Sequence, residues 1–226
     1  QDIPASVAAA EPRGITVMLD NTWATPLFFK PLDHGVDIVI HAATKYPSGH
    51  SDVLMGFVSA NESHAKQLND ANTWLGFCIG SDDAALVLRG LRTMGVRLER
   101  HQKSAMELAL WLESDNRLAR VLHPALPSFP SHDLWKRDFC GSSGVFSIVL
   151  NGGGRKEAHA FLDALNLFGL GYSWGGFASL AVEVWLADRK IAKAPSEGPV
   201  IRLQIGLEDV VDLRADIERG LKAALG

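Results

Sequence analysis

The sequence of 226 residues predicts an α/β fold built from two parts. Three observations predict it. Short β-branched apolar runs separated by turns fill the first third, a long stretch of helical periodicity follows, and a second set of strand and helix patterns occupies the rest. Short apolar runs of this kind are typical of a mostly parallel sheet that is buried between helices.

The first part contains three predicted strands, at residues 15–20, 36–41 and 53–59. The first ends on the carboxylate of Asp20 and the second on His41. In an α/β sheet, side chains that follow the carboxyl ends of strands face the crevice in which such folds bind ligands. We therefore expect the chemistry of this part directly after these strands.

A predicted helix connects the two parts. It begins near Ser81, runs from about residue 82 and keeps its apolar periodicity to Glu113, while Gly90 and Gly95 allow a bend or a close contact. We place the domain boundary within this helix. Residues 1–90 form one domain and residues 91–226 a smaller C-terminal α/β domain.

The second part alternates in the same way. Residues 144–150 read as a strand, 155–167 as a helix and 201–205 as a half-buried strand. Asp209 is placed to cap a terminal helix whose apolar residues recur at helical spacing.

Composition excludes several classes of protein. The formal net charge of -4 argues against a nucleic-acid-binding surface. Cys78 and Cys140 lie far apart, which predicts neither a zinc site nor a disulfide framework and suits a reducing cytoplasm. No apolar run approaches the ~20 residues of a membrane span. The chain starts at Gln1 without a methionine, so we expect it to be the later part of a longer polypeptide.

Asp20 and Lys45 form the most informative pair of residues. Each follows a predicted strand, and a lysine beside a cleft can act as a nucleophile or a base. Enzymes that use pyridoxal phosphate need a lysine to hold the cofactor as a Schiff base and a carboxylate to keep its pyridine nitrogen protonated. Thr44 could offer its hydroxyl to the phosphate. In the alternative interpretation, Asp20 caps a turn and Thr44 bonds only to the backbone.

Several motifs in order carry a resemblance to a known family. Together they resemble the Cys/Met-metabolism branch of fold-type I pyridoxal phosphate enzymes, from about Ile15 to the C-terminus. Among the branches of that family, the sequence looks most similar to the bacterial cystathionine β-lyases. The motifs are Asp20-Asn21-Thr22-Trp23-Ala24-Thr25-Pro26, His41-Ala42-Ala43-Thr44-Lys45-Tyr46, Gly49-His50-Ser51-Asp52, Tyr172-Ser173-Trp174-Gly175-Gly176 and Ile201-Arg202-Leu203-Gln204-Ile205-Gly206-Leu207-Glu208-Asp209.

The resemblance implies a role for each matching residue of the cofactor site. Lys45 would carry pyridoxal phosphate as a covalent Schiff base and move the α-proton of the substrate. Asp20 would pair with the pyridine nitrogen, and Thr44 would contact the phosphate.

It also implies a substrate site. Arg202 would bind the α-carboxylate of an amino acid in a bidentate fork. Ser173 would help to bind that carboxylate, Trp174 would hold Arg202, and Tyr172 would line the pocket near the leaving group. A surface arginine on a strand is the alternative interpretation of Arg202.

At the level of the whole molecule, the resemblance implies a part of the fold-type I large domain followed by the C-terminal domain. It implies a cytoplasmic homotetramer of paired dimers that cleaves cystathionine in methionine biosynthesis, with a γ-lyase or γ-synthase of the same family as the alternative. The family's phosphate-binding turn lies upstream of Gln1, so that part of the polypeptide would be needed for a complete site.

Three rival interpretations remain to be weighed. Residues 171–175 match the G-x-S-x-G elbow of hydrolases, but all eight histidines precede Ser173, whereas a hydrolase needs its histidine after the serine. The spacing of His41, His50 and His64 fits no metal motif, so we expect no metal site. A binding or assembly module that kept the fold without the chemistry is the non-enzymatic alternative.

Overall fold

The computed structural model describes residues 1–186, 188–189, 191 and 193–226. The chain packs into two compact units. The first unit consists of Gln1–Gly95 and Asp133–Ser142, and the second consists of Val96–His132 and Ser143–Gly226. Each helix in these described ranges is too short or too polar to cross a membrane.

Helices and strands alternate along the described chain, so the predicted α/β class is confirmed. The α-helices are α1 Ile3–Ala10, α2 Thr25–Phe28, α3 Glu62–Leu75, α4 Ser81–Leu91, α5 Met94–Glu113, α6 His132–Asp138, α7 Arg155–Asp163 and α8 Val210–Leu225. The strands are β1 Met18–Asp20, β2 Ile38–Ala42, β3 Gly56–Ala60, β4 Leu118–Leu122, β5 Val145–Leu150, β6 Gly169–Leu170, β7 Leu180–Val184 and β8 Val200–Gln204.

The sheet of the first unit is mixed, whereas the sequence predicted a mostly parallel one. β1 and β2 run parallel, with Asp20 aligned with Ile40, but β3 runs antiparallel to β2, with Ala42 aligned with Gly56. A parallel pair needs a crossover connection, and the segment that holds α2 supplies it between β1 and β2. The segment from β2 to β3 holds a loop and no crossover helix, so the chain returns antiparallel.

The predicted connecting helix is divided into α4 and α5. Both the backbone N–H and the hydroxyl of Thr93 donate to the carbonyl oxygen of Gly90, at 3.0 and 3.1 Å. A threonine hydroxyl that competes for a carbonyl in this way favours a helix end. Apolar periodicity continues across the break, which is why the sequence pattern indicated one helix.

The second unit has a five-stranded sheet in the order β4-β5-β8-β7-β6, with the pair β6 and β7 parallel and the other pairs antiparallel. β8 forms where it was predicted, but it is more buried than the half-buried strand that the sequence indicated, because Gln204 is buried as well. Ile201, Leu203 and Ile205 are fully buried in the core of this unit, while Arg202 and Gln204 lie on the opposite face of the strand.

Helix α8 closes this core and is fixed at two points. The carboxylate of Asp209 accepts from the backbone N–H of Val211 at 2.8 Å, so the predicted cap is confirmed. Further along the helix, the fully buried carboxylate of Asp216 accepts from the backbone N–H groups of residues 166–168, at 2.8 to 3.2 Å. These bonds hold the turn after α7 against α8.

Candidate active site

Asp20, Thr44 and Lys45 lie at one edge of the sheet in the first unit. Asp20 is the last residue of β1, and Lys45 follows the end of β2 by three residues. Because β1 and β2 are parallel neighbours, their carboxyl ends share that edge. The sequence prediction that these side chains follow strand ends is therefore confirmed in position, while their roles stay a prediction.

The carboxylate of Asp20 is held by a turn that is bonded to the next strand. Its Oδ1 accepts from the backbone N–H of Thr22 at 2.9 Å, and Thr22 Oγ1 accepts from the backbone N–H of Ala42 at 2.8 Å. Asp20 itself is exposed, so the carboxylate is open to a ligand while its backbone is fixed.

The chain after Asp20 contains a strained residue. Thr25 is fully buried and has φ of 59°, a conformation that is costly for a β-branched residue. The buried side-chain amide of Asn21 donates to the carbonyl oxygens of Thr25 and Phe29, at 3.1 and 2.9 Å, and so stabilises this turn. A strained backbone conformation of this kind persists where surrounding hydrogen bonds hold it in place, as the bonds of Asn21 do next to Asp20.

Thr44 has the arrangement of the alternative interpretation. Its hydroxyl donates to the carbonyl oxygen of Met55 at 3.2 Å and accepts from the N–H of Met55 at 3.0 Å. A hydroxyl has one proton to donate. A phosphate oxygen would therefore have to replace the Met55 carbonyl as the acceptor.

The loop that carries Lys45 is held from both sides. Within the loop, the hydroxyl of Ser48 donates to the carbonyl oxygen of Thr44 at 3.0 Å, and the N–H of Gly49 donates to that of Lys45 at 2.8 Å. From outside, α4 approaches so closely that a Cβ on Gly90 would lie 2.3 Å from the carbonyl oxygen of Ser48. The predicted close contact at Gly90 is thus confirmed, and its partner is the lysine loop.

His41, on β2, lies in the same region. It is buried and its ring stacks on Phe57, with 4.7 Å between the ring centroids. Burial lowers the pKa of His41, and the negative charge of Asp20 partly opposes this effect. In the described ranges, no group of three or more His, Cys, Asp or Glu side chains is arranged to hold a metal ion.

The predicted substrate-binding residues lie in the second unit. Arg202 is half-buried on β8 between Ser147 of β5 and Val182 of β7. Its guanidinium donates through Nη2 to the backbone carbonyl of Tyr172, and burial lowers the pKa of Arg202. A guanidinium with several remaining N–H donors, partly removed from water, suits a carboxylate ligand.

The other three predicted residues belong to the segment between β6 and β7. Tyr172 is 72% exposed, Ser173 is exposed and Trp174 is half-buried. The hydrolase elbow requires a serine on a turn from a strand into a helix. Here the segment leads from β6 into β7, so the surroundings of Ser173 are not those of an elbow.

The sequence pattern did not single out Gln204. This residue alternates with apolar neighbours in β8 and so resembles an outward-facing polar residue, yet it is 1% exposed. Its amide nitrogen donates to the carbonyl oxygen of Gly176 at 3.3 Å, in the same segment that Arg202 contacts. A sequence shows the alternation but not that another segment covers this face.

Two relatives match nearly the whole of this chain. A Rhizobium johnstonii protein named "Putative cystathionine beta-lyase" is 67% identical over 228 residues, and cystathionine beta-lyase MetC of Escherichia coli K12 is 46% identical over 227 residues. The matches cover 99% and 97% of this chain, but 58% and 57% of the two relatives. The chain thus spans a little over half the length of these relatives.

Solved structures give the same picture at the level of the fold. Cystathionine gamma synthase from Xanthomonas oryzae pv. oryzae, in complex with aminoacrylate and cysteine, superimposes with a TM-score of 0.91 at 36% identity. That match covers 99% of this chain and 59% of the synthase. The family model for the Cys/Met metabolism PLP-dependent enzymes matches residues 1–222. Fold and sequence therefore agree, and the chain belongs to the Cys/Met metabolism PLP-dependent enzyme family.

Proposed function

We propose that this chain is part of a pyridoxal phosphate-dependent carbon–sulfur β-lyase that cleaves L-cystathionine to homocysteine, pyruvate and ammonia. The observation that carries the proposal is the pairing of Asp20 and Lys45 at one sheet edge in a member of this family. The names of the two relatives support cystathionine as the substrate. Their greater length makes the activity of the whole protein part of the proposal.

The residues at the sheet edge fit pyridoxal phosphate by their chemistry. An exposed carboxylate at Asp20 suits a protonated ring nitrogen, and a half-buried amine at Lys45 suits an aldehyde. When bound, the cofactor supplies an electron sink that stabilises negative charge at the α-carbon of an amino acid. Thr44 would contact the phosphate only by exchanging its bond to Met55.

Lys45 has two roles in this proposal. Its Nζ holds the cofactor as a Schiff base at rest, and as a free amine it takes the α-proton of the substrate. The second role requires the amine at a fixed position, because proton transfer depends on distance. The bonds of Ser48 and Gly49 and the close approach of Gly90 provide that position.

Arg202 binds the α-carboxylate of the substrate. Since one N–H of its Nη2 is directed to the Tyr172 carbonyl, the guanidinium has further N–H groups for a bidentate contact. Ser173 assists with the carboxylate, Trp174 supports Arg202, and Tyr172 lines the pocket at the leaving thiol. These are the roles that the family resemblance implies for these four residues, all of which lie in the second unit.

The wider proposal includes the domain organisation and the assembly. Residues 1–90 are the second half of a fold-type I large domain, and residues 91–226 are the C-terminal domain. The active protein is a cytoplasmic homotetramer of paired dimers, and an upstream part of the polypeptide completes the cofactor site.

Product analysis with the complete, cofactor-loaded protein tests the proposal. L-Cystathionine should give pyruvate and homocysteine, and borohydride should fix the cofactor covalently on Lys45. Lys45→Ala should abolish turnover and leave the fold intact by circular dichroism, while Lys30→Ala, at an exposed lysine, serves as the control. Cysteine and 2-oxobutyrate as products would indicate a γ-lyase, and a protein that takes up no cofactor would indicate a binding module.

A further inference from the structure

Gln204 is a buried amide on the face of β8 that also carries Arg202. The two residues are two positions apart on one strand, so their side chains project to the same side of the sheet. The segment between β6 and β7 contacts both of them.

The orientation of the Gln204 amide is fixed by its partners. One end of the amide lies 3.3 Å from the carbonyl oxygen of Gly176 and 3.0 Å from that of Ile205. Only the nitrogen end can donate to two carbonyl oxygens, so this end is Nε2. Oε1 is then a buried acceptor with no hydrogen-bond partner in the described part of the chain.

A buried acceptor without a partner destabilises a protein, and an apolar side chain of similar shape would avoid that cost. The amide at this position is thus poorly explained by stability alone. Its donor end, in contrast, makes a specific contact to the segment that carries Tyr172, Ser173 and Trp174.

β8 and the residues after it therefore bind this segment at several points. Arg202 donates to the carbonyl of Tyr172 near the start of the segment, and Gln204 donates to the carbonyl of Gly176 in its middle. The later part is held separately, because the backbone N–H of Leu207 donates to the carbonyl of Phe177 and that of Gly206 to the hydroxyl of Ser179, both at 2.8 Å. Gly175, between them, has φ of 83°, so the segment turns sharply just before the Gln204 contact. Of the bonds from this strand, those of Arg202 and Gln204 are the two that flank the turn at Gly175.

We propose that Gln204 is a positioning residue for substrate binding: by holding Gly176 it fixes the Tyr172 carbonyl, and that carbonyl orients the guanidinium of Arg202 toward the substrate carboxylate. The inference rests on the proposed role of Arg202. The bond from Nη2 to the Tyr172 carbonyl sets the plane of the guanidinium, and its remaining N–H groups then point in a defined direction. Without Gln204 the segment shifts, and the guanidinium loses its preferred orientation.

Two variants of the cofactor-loaded, complete protein test this role. Gln204→Met keeps the approximate volume and removes both donors. Gln204→Glu also removes the donors. It places a carboxylate on a residue whose Cα atom lies about 7 Å along the strand from that of Arg202. This carboxylate competes with the substrate carboxylate for the guanidinium of Arg202. Ile148→Val, a small deletion in the core of the same sheet, is the control for general destabilisation.

We expect Gln204→Met to raise KM for L-cystathionine about tenfold with an unchanged kcat, because it weakens a contact that is equal in the ground and transition states. Gln204→Glu should raise KM further. Amide hydrogen exchange in residues 172–176 should accelerate in both variants, with or without substrate. Ile148→Val should lower the unfolding temperature and leave both KM and this exchange unchanged.

An unchanged KM in Gln204→Met, or a KM that follows the unfolding temperature in all three variants, would overturn the proposal. If Gln204→Met does not fold, Gln204→Asn provides the comparison, because it keeps a neutral amide but is one methylene too short to reach Gly176 in the same way. Failure of the proposed function is a different result, in which the wild-type protein turns over no cystathionine. The exchange of residues 172–176 then still decides whether Gln204 holds the segment.

Discussion

Substitution of Gly90 by alanine tests whether α4 sets the position of the loop that carries Lys45. A Cβ at residue 90 would lie 2.3 Å from the carbonyl oxygen of Ser48 and 2.4 Å from that of Pro47. Carbon and oxygen atoms normally approach to about 3.3 Å. Since both oxygens belong to the backbone, the loop or the helix must move by about 1 Å to make room.

The stability and the activity should respond differently to this change. Forcing a methyl group into a packed contact costs about 1–3 kcal/mol, while alanine in a helix gains about 1 kcal/mol over glycine. The free energy of unfolding should therefore fall by at most about 2 kcal/mol. A displacement of about 1 Å at a catalytic group can lower the rate about 100-fold, so turnover should fall much further than stability.

Thermal unfolding, bound cofactor and cystathionine turnover measure these effects in one preparation. Gly95→Ala is the matched control, because a Cβ there would meet Leu27 Cδ1 at an ordinary 4.0 Å. We expect the control to keep its cofactor and its turnover. Wild-type turnover in Gly90→Ala would refute the role of α4 in positioning the lysine loop.

Three further predictions concern the second unit. Arg202→Lys keeps the positive charge but cannot make the bidentate contact with the substrate carboxylate, so kcat/KM for cystathionine should fall about tenfold or more. A kcat/KM equal to that of the wild type would show that Arg202 does not bind the substrate. Asp216→Asn replaces one of two oxygens that accept from the amides of residues 166–168 and should lower the free energy of unfolding by about 2–3 kcal/mol in denaturant titration. Asp212→Asn, on the exposed side of the same helix, should change it little. Burial lowers the pKa of His123 to about 4 from 6.5, so the unfolded chain takes up a proton first as the pH falls. The contribution of His123 to stability is fully present above pH 6.5 and should decrease by about 3 kcal/mol on acidification to pH 4. His123→Phe should flatten this pH dependence, and a curve with the wild-type slope would contradict the assignment.

The sequence was sufficient to predict those features that follow from local patterns. Asp20 and Lys45 could be placed at strand ends because short β-branched runs stop directly before them. Asp209 could be predicted as a cap because an apolar helical stripe follows it. In each case all the residues that predict the feature lie within one short segment of the chain.

Features that depend on distant segments could not be predicted in this way. The burial of Gln204 depends on a segment about 30 residues earlier in the chain. The mixed sheet depends on how the loop after Lys45 returns to β3. Helix α3 was not predicted, and the structure buries none of its side chains.

The central place of β8 has a consequence for the order in which the second unit can fold. β8 lies between β5 and β7, although it comes after both of them in the sequence. Until it is inserted, the neighbouring strands have no partner for their inner edges, and pairing over such long stretches of chain is slow. Since Arg202 lies on β8, its proposed contact with the substrate forms only when the sheet is complete. A molecule that has not finished folding would in this way be unable to bind its substrate.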